Sequence, residues 1–207
     1  MPTIDSNALA DRRGIRNRIR QQRRHLNHAQ RTTAARQLTQ QLKQSSLFLR
    51  SKHIAFYLAN DGEIDLQPLI QQAWAMGKQC YLPVLCPAFH KRLWFAPYQA
   101  ETPMQRNIFG ILEPRLPWRD MRPIFSLDLI LTPLVAFDLQ GNRLGMGGGF
   151  YDRSLAYLQQ RRYWRKPRLV GTAYEFQQVA QLPKAVWDVP LHGVITEQCS
   201  YIFSGNQ

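Results

Sequence analysis

Between Gly141 and Arg153 the chain reads G-N-R-L-G-M-G-G-G-F-Y-D-R, and here residue types and spacing first suggest chemistry. Gly145, Gly147, Gly148 and Gly149 remove the Cβ atoms that would hold a ligand off the backbone, so their amides can converge on phosphate oxygens. Arg143 adds a full positive charge, and a helix starting near Tyr151 adds the partial positive charge of its N-terminus. The pattern is not the G-x-x-x-x-G-K-[ST] loop, since no Lys follows, and it lacks the ribose-binding acid of a dinucleotide fingerprint. A plain flexible connector is the competing reading. Such linkers combine Gly with Ser, however, rather than with an embedded Arg-Leu and a terminal Tyr-Asp.

Asp152 ends the loop where a carboxylate could hold Mg²⁺ beside bound phosphates, an ion that takes one or two protein carboxylates and several waters. An Asp at a helix start is equally a cap, and position alone leaves the two roles open. Phe150 and Tyr151 could stack on a flat ring or belong to the core. Glu63, in the segment D-G-E-I-D, reads without further context as an exposed loop acid.

The elements that must position these residues alternate. Residues 7–49 lack Gly and Pro except Gly14, and their apolar positions recur at helical spacing, which predicts two helices, the second capped by Asn27. This segment is expected to lie outside the core, packing by a thin apolar stripe and exposing its arginines. Strands are expected at 53–59, 79–85, 92–98, 128–137, 168–174 and 192–197. Helices are expected at 65–76, with an Asp cap and Gly77 as terminator, and at about 151–161. The stretch 101–123, containing F-G-I-L-E-P, reads as surface loop. The pattern predicts one three-layer α/β domain over 1–207: a mainly parallel sheet flanked by helices (core about 52–203), preceded by an Arg-rich helical segment (about 8–49).

Composition sets the outer limits. The 207 residues carry 27 Lys+Arg against 14 Asp+Glu, a formal charge of +13, and eleven of the basic residues lie in 11–50 beside the single acid Asp11. The imbalance calls for an anionic partner. No apolar run long enough for a membrane span or signal peptide is present, so a cytoplasmic protein is expected. Cys80, Cys86 and Cys199 read as reduced, buried thiols.

The segment L-I-L-T-P-L-V-A-F-D followed by G-x-R-L-G-M-G-G-G-F-Y-D-R resembles the signature of the 5-formyltetrahydrofolate cyclo-ligase (5,10-methenyltetrahydrofolate synthetase) family. The Arg-rich N-terminal helix, F-Y-L-A-N-D-G-E-I-D, G-K-Q-C-Y-L-P-V-L, F-G-I-L-E-P and W-D-V-P-L-H-G-V-I-T follow in the order that family shows, so the likeness spans most of the chain. It implies ATP- and Mg²⁺-dependent cyclisation of 5-formyltetrahydrofolate to 5,10-methenyltetrahydrofolate, with release of ADP and phosphate, by a protein expected to be a monomer. It implies ATP contacts from Arg12 and Arg16 and from the run Arg143, Leu144, Gly145, Met146, Gly147, Gly148, Gly149, Phe150 and Tyr151, with Arg143 and Tyr151 serving the chemical step. Folate contacts fall on Leu58, Glu63 and Met146 to Phe150, and the metal on Asp152. Met146 and Gly148 replace basic residues that some members carry. A second family metal carboxylate has no clean match, Asp188 and His192 being nearby, and Glu113 is either a further site residue or structural.

Of the other arginines in the first helix, Arg18, Arg20, Arg23 and Arg24 are expected to form a solvated face. A nucleic-acid-binding protein using that face is the alternative from another class, but it leaves the glycine loop unexplained. Another phosphoryl-transfer enzyme on the same fold is a third reading.

Overall fold

The computed structural model describes residues 6–85, 92–159, 166–183, 185 and 187–203. Helices α1 (Ser6–His25), α2 (His28–Gln44) and α3 (Ser46–Arg50) precede β1 (His53–Ala55), α4 (Gln67–Ala75), β2 (Gln79–Leu85) and β3 (Leu93–Pro97). A small hairpin, β4 (Met104–Arg106) and β5 (Leu112–Pro114), leads to β6 (Leu129–Pro133) and to the ribbon β7 (Ala136–Phe137) and β8 (Arg143–Leu144). Then follow α5 (Phe150–Leu155), β9 (Arg168–Thr172), β10 (Gly193–Ile195) and β11 (Ser200–Ile202).

Seven strands form one sheet in the order β11-β10-β9-β6-β1-β2-β3. The pairs β2–β1, β1–β6, β6–β9 and β9–β10 are parallel, and each edge carries one antiparallel strand. Successive side chains point to opposite faces, so Ile54, Cys80, Leu82, Leu129, Leu131 and Val170 enter one buried cluster, while Ala55, Tyr81, Ile130 and Leu169 enter the other. Apolar residues on both faces require cover on both faces, and the three-layer architecture follows.

The start of α2 is fixed as the sequence suggests. The Asn27 side chain accepts from the Gln30 amide at 2.9 Å, and the Gln30 side chain accepts from the Asn27 amide at 2.9 Å. Helix α2 does not lie outside the core: Ala34, Leu38 and Leu42 are buried in the first cluster with α4 and the sheet. Helix α4 begins at Gln67 rather than at an Asp cap, although the Asp65 carboxylate does accept from the Gln67 amide at 2.9 Å. It ends at Ala75, and Gly77 just beyond, with φ of +69°, makes the left-handed turn a side chain disfavours.

Three further expectations change. The strand foreseen over 128–137 breaks after Pro133, and its continuation leaves the sheet as β7 to pair with β8, with Val135 N–H donating to Leu144 O at 2.7 Å. The buried Asp138 shapes the turn of that ribbon by accepting from the amides of Gln140 and Asn142, each at 3.0 Å. Helix α5 starts at Phe150 and tightens after Leu155, and the segment 101–123 contains the β4–β5 hairpin. Cys80 is buried as expected, Cys199 is exposed, and Cys86 lies outside the described residues.

Since Leu38 is fully buried, Leu38→Ala should destabilise the protein by about 3 kcal/mol in urea unfolding. A change under about 0.5 kcal/mol, typical of surface sites, would place α2 outside the cooperative core.

Candidate active site

The chain leaves β1 to build β2 on one side, then returns to place β6 on the other. The connections at the carboxyl ends of β1 and β6 therefore diverge, and the crevice between them is where ligands bind in doubly wound sheets. A cleft of about 650 Å³ occupies that position. Its walls are the loop after β1 (Tyr57, Leu58, Asp61, Glu63), the end of β6 (Thr132, Pro133, Leu134), the glycine loop, Arg12 and Arg16 of α1, and Phe109 of the β4–β5 hairpin.

Thus Arg12, Arg16, Leu58, Glu63, Arg143, Gly145, Met146, Gly147, Gly148, Gly149, Phe150, Tyr151 and Asp152, drawn from three separate parts of the chain, meet at one cleft. Leu144 is the exception: its side chain is buried with Ala136 and Leu182, away from the cleft wall. The structure also separates the two C-terminal candidates. Asp188 lines the cleft, whereas His192 is occupied at the start of β10, where Nδ1 accepts from the Leu169 amide at 3.0 Å. Burial lowers the His192 pKa to about 4, which suits a neutral acceptor.

The cations of the cleft are held by carboxylates and carbonyls. Arg12 Nη2 lies 3.0 Å from Asp188 Oδ2, and Arg16 Nε donates to Gly145 O at 2.8 Å. Arg143, buried, donates to Asp152 Oδ1 at 2.5 Å and to Val189 O. Asp152 is not a cap, because Gly149 occupies the N-cap position, and its Oδ1 also accepts from the Val189 amide at 3.2 Å. Burial lowers the pKa of Arg16, the neighbouring Arg12 charge adds to the effect, and Asp188 opposes it. Burial likewise lowers that of Arg143 against the pull of Asp152 and Asp188. Arg12 Nε is buried with no hydrogen-bond partner. A like-charged, partly dehydrated pair with an orphaned donor offers charge and a hydrogen bond that suit an anion.

Glycine has separate causes along the loop. A Cβ on Gly148 would meet the Phe150 ring at 2.7 Å, so Gly there makes room for that ring. A Cβ on Gly145 would meet nothing within 4 Å, and its φ is not left-handed. The fold does not require that position to be bare.

On the opposite wall, Glu63 accepts from the Asn60 amide at 3.1 Å, and burial raises its pKa to about 7. Tyr57 and Tyr151 are also pushed upward by burial, with Glu63 adding to the effect, so both hydroxyls stay protonated. Glu113 is structural: its Oε2 accepts from the Leu85 amide at 3.1 Å and from Asn107 Nδ2 at 3.3 Å, tying the hairpin to β2.

The expected solvated arginine face divides. Arg18 is exposed, but Arg23 is fully buried, and Arg20, Arg23 and Arg24 all reach Asp61, at 2.7, 3.2 and 2.5 Å. Sequence reasoning missed Asp61, Tyr57, Thr132 and Phe109 as cleft residues. All four nonetheless lie in segments that carry the family resemblance: Tyr57 and Asp61 in F-Y-L-A-N-D-G-E-I-D, Thr132 in L-I-L-T-P and Phe109 in F-G-I-L-E-P.

Fold and cleft together define a doubly wound α/β protein with an arginine-lined crevice at its switch point. Residues 8–197 match the model of the 5-formyltetrahydrofolate cyclo-ligase family, and the chain belongs to that family and is an enzyme of the ligase class. It is 45% identical over 184 residues to the 5-formyltetrahydrofolate cyclo-ligase of Haemophilus influenzae, covering 89% of this chain and 96% of the relative. It is 43% identical over 178 residues to that of Escherichia coli, covering 86% and 96%. The solved 5,10-methenyltetrahydrofolate synthetase of Aquifex aeolicus superposes with a TM-score of 0.78 at 29% identity, covering 95% of this chain and 94% of that one.

The raised pKa of Glu63 has a signed consequence. Between about pH 4.5 and 7 the folded protein holds a proton that the unfolded chain has released, so this group's contribution to stability falls as pH rises through that window. Glu63→Gln should remove that fall, read as a urea midpoint at pH 7.5 that rises relative to the midpoint at pH 5 when compared with the wild type. An unchanged difference between the two midpoints would mean that Glu63 titrates normally.

Proposed function

We propose that the protein catalyses the ATP-dependent cyclisation of 5-formyltetrahydrofolate to 5,10-methenyltetrahydrofolate, releasing ADP and phosphate. The observation that carries this reading is the meeting of the glycine loop, Arg12 and Arg16 with the Glu63 wall in one cleft. The polyphosphate lies against the loop and the two arginines. The pterin meets Glu63, whose carboxylate accepts parallel bonds from the ring N–H and amino group, with Leu58 against the ring. A ligand that needs the ionised form expels the proton that Glu63 holds below about pH 7.

The formyl oxygen takes the γ-phosphoryl group, the second amine nitrogen of the folate attacks the activated carbon and loses its proton, and phosphate departs with the former formyl oxygen. Such a transfer needs alignment and charge neutralisation more than a protein nucleophile. Arg143, held between Asp152 and Val189 O, is placed to neutralise charge on the transferred group, and Tyr151 supplies a protonated hydroxyl beside it. Asp152 and Asp188 on one wall fit Mg²⁺ bound chiefly through nucleotide phosphates, since among the described residues no cluster of three His, Cys, Asp or Glu side chains forms a self-sufficient metal site. When bound there, Mg²⁺ supplies charge neutralisation at the phosphates. Action in the cytoplasm as a monomer belongs to the same proposal. No helix of the described residues is long and apolar enough to cross a membrane.

Formation of methenyltetrahydrofolate, followed by absorbance with ATP and Mg²⁺ each omitted in turn, should require both. Product formed without ATP would overturn the phosphoryl-transfer route. Gly145→Ala should leave stability within about 0.5 kcal/mol of wild type, because its Cβ meets no protein atom. The same variant should raise the KM for ATP by about tenfold or more if the nucleotide lies against that backbone. An unchanged KM would move the phosphates off Gly145.

A further inference from the structure

Asp61 stands in the turn between β1 and Glu63, and three arginines of α1 converge on it. Arg20 Nε and Arg23 Nη2 reach Oδ2 at 2.7 and 3.2 Å, and Arg24 Nε reaches Oδ1 at 2.6 Å. The Arg23 side chain is fully buried, and its other terminal nitrogen donates to Leu134 O at 3.4 Å, on the cleft wall after β6. The backbone follows the charges. Asp61 has φ +49° and Gly62 φ +75°, and a Cβ on Gly62 would lie 3.1 Å from Arg23 O, so the turn sits directly against α1. An L-residue adopts such a φ only where its surroundings hold it there, and Asp is among the few that tolerate it.

Arg12, Arg16, Arg20 and Arg23 recur at the spacing of one helical face. The half of α1 gripped by Asp61 and the half that presents Arg12 and Arg16 to the cleft are one rigid rod, about 16 Å from Arg12 to Arg23 at 1.5 Å per residue. At its other end α1 is held by Arg12–Asp188 and Arg16–Gly145 O, both contacts of groups that face the cleft. The Asp61 contacts are made by Arg20, Arg23 and Arg24, in the other half of α1 from Arg12 and Arg16. Asp61 is also the neighbour but one of Glu63. One carboxylate therefore joins the helix that carries the anion-binding arginines to the loop that carries the acid of the opposite wall.

We propose that Asp61 is a positioning residue: it clamps α1 to the β1 loop and so sets Arg12 and Arg16 against the glycine loop in register with Glu63. The inference rests on the nucleotide reading of the cleft for its functional effect and on the geometry of α1 for its structural one, and the two are tested separately. Asp61→Asn keeps the size of the side chain and its tolerance of positive φ but removes the charge. The affinity for a non-hydrolysable ATP analogue with Mg²⁺, measured by calorimetry, should fall about tenfold, although Asp61 contacts neither Arg12 nor Arg16. In an Arg16→Ala background the same substitution should cost much less, because the group that Asp61 positions is gone. A purely structural role would give equal losses in both backgrounds, and that result, or no loss in either, overturns the proposal.

Amide exchange on the ligand-free protein supplies the independent arm. In Asp61→Asn, residues 12–24 and 60–63 should exchange faster while β1, β2 and β6 keep their protection; α1 remaining as protected as in the wild type overturns the clamp. If the wild-type protein binds no nucleotide, the nucleotide reading fails and exchange alone decides the clamp. Should Asp61→Asn fail to fold because Arg23 is left unpaired, Arg20→Ala removes one arm at a partly exposed position. It should give the same pattern with an affinity loss of about threefold, and unchanged affinity and exchange would overturn the proposal.

Discussion

Everything in the cleft depends on a reversal in the order in which the sheet is built. With β2 on one side of β1 and β6 on the other, the chain segments leaving the carboxyl ends of β1 and β6 must turn away from each other. No backbone crosses the gap, so it is filled by groups brought from elsewhere: α1 from the start of the chain, the β4–β5 hairpin from one side and the β7–β8 ribbon from the other. The ribbon exists because Pro133 ends the β6 ladder. From there the chain turns out of the sheet and presents Gly145 to Gly149 along the wall of the crevice.

The charge pattern follows from that geometry. A formal charge of +13 suggests a surface field, yet several of the arginines that matter are turned inward and paired. Asp188, Asp61 and Asp152 hold Arg12, the Arg20–Arg23–Arg24 group and Arg143 respectively. Leaving Arg23 or Arg143 buried without its carboxylate would impose the full cost of desolvating a guanidinium, so the Arg23 pair is a condition for seating α1 and the Arg143 pair for seating the glycine loop between β8 and α5. A nucleic-acid surface would keep the same side chains outward, where they could neutralise successive phosphates along a strand. The pairing of Arg20, Arg23 and Arg24 with one carboxylate therefore argues against the binding-only reading of the basic segment.

Much of this was legible in sequence because it depends on local patterns. The β2 and β9 segments, the Asn27 cap and the Gly77 stop are decided by residues within a few positions of one another. The burial of α2 was not legible, because two of the residues that bury it, Ala34 and Ala35, are small and give a weak apolar stripe, although close packing on α4 and the sheet favours small side chains. The burial of Arg23 was hidden for a different reason: its partner Asp61 lies 38 positions away, and no local pattern distinguishes a buried arginine from the exposed Arg18. Leu144 was assigned with its neighbours as a unit, but alternation along β8 turns it to the opposite side from the cleft. Within the glycine loop the sequence pointed to residues that the fold brings to one cleft, and could not separate glycines that pack against the protein from those with open space beside them.

That separation bears on function more than the count of glycines does. At Gly148 the Phe150 ring occupies the space a side chain would need, so a bare backbone there would be expected whether or not anything binds. At Gly145 the protein offers neither a steric nor a conformational reason, while Arg16 grips its carbonyl and Arg12, one helical turn from Arg16, carries an unsatisfied buried donor. Two observations of different kinds thus meet at one place: space that the fold leaves open, and positive charge that the fold leaves incompletely satisfied. An anion whose oxygens reach the backbone answers both, since it fills the open volume and supplies the acceptor that Arg12 lacks. A connector selected only for flexibility would account for the glycines and leave the buried donor unexplained.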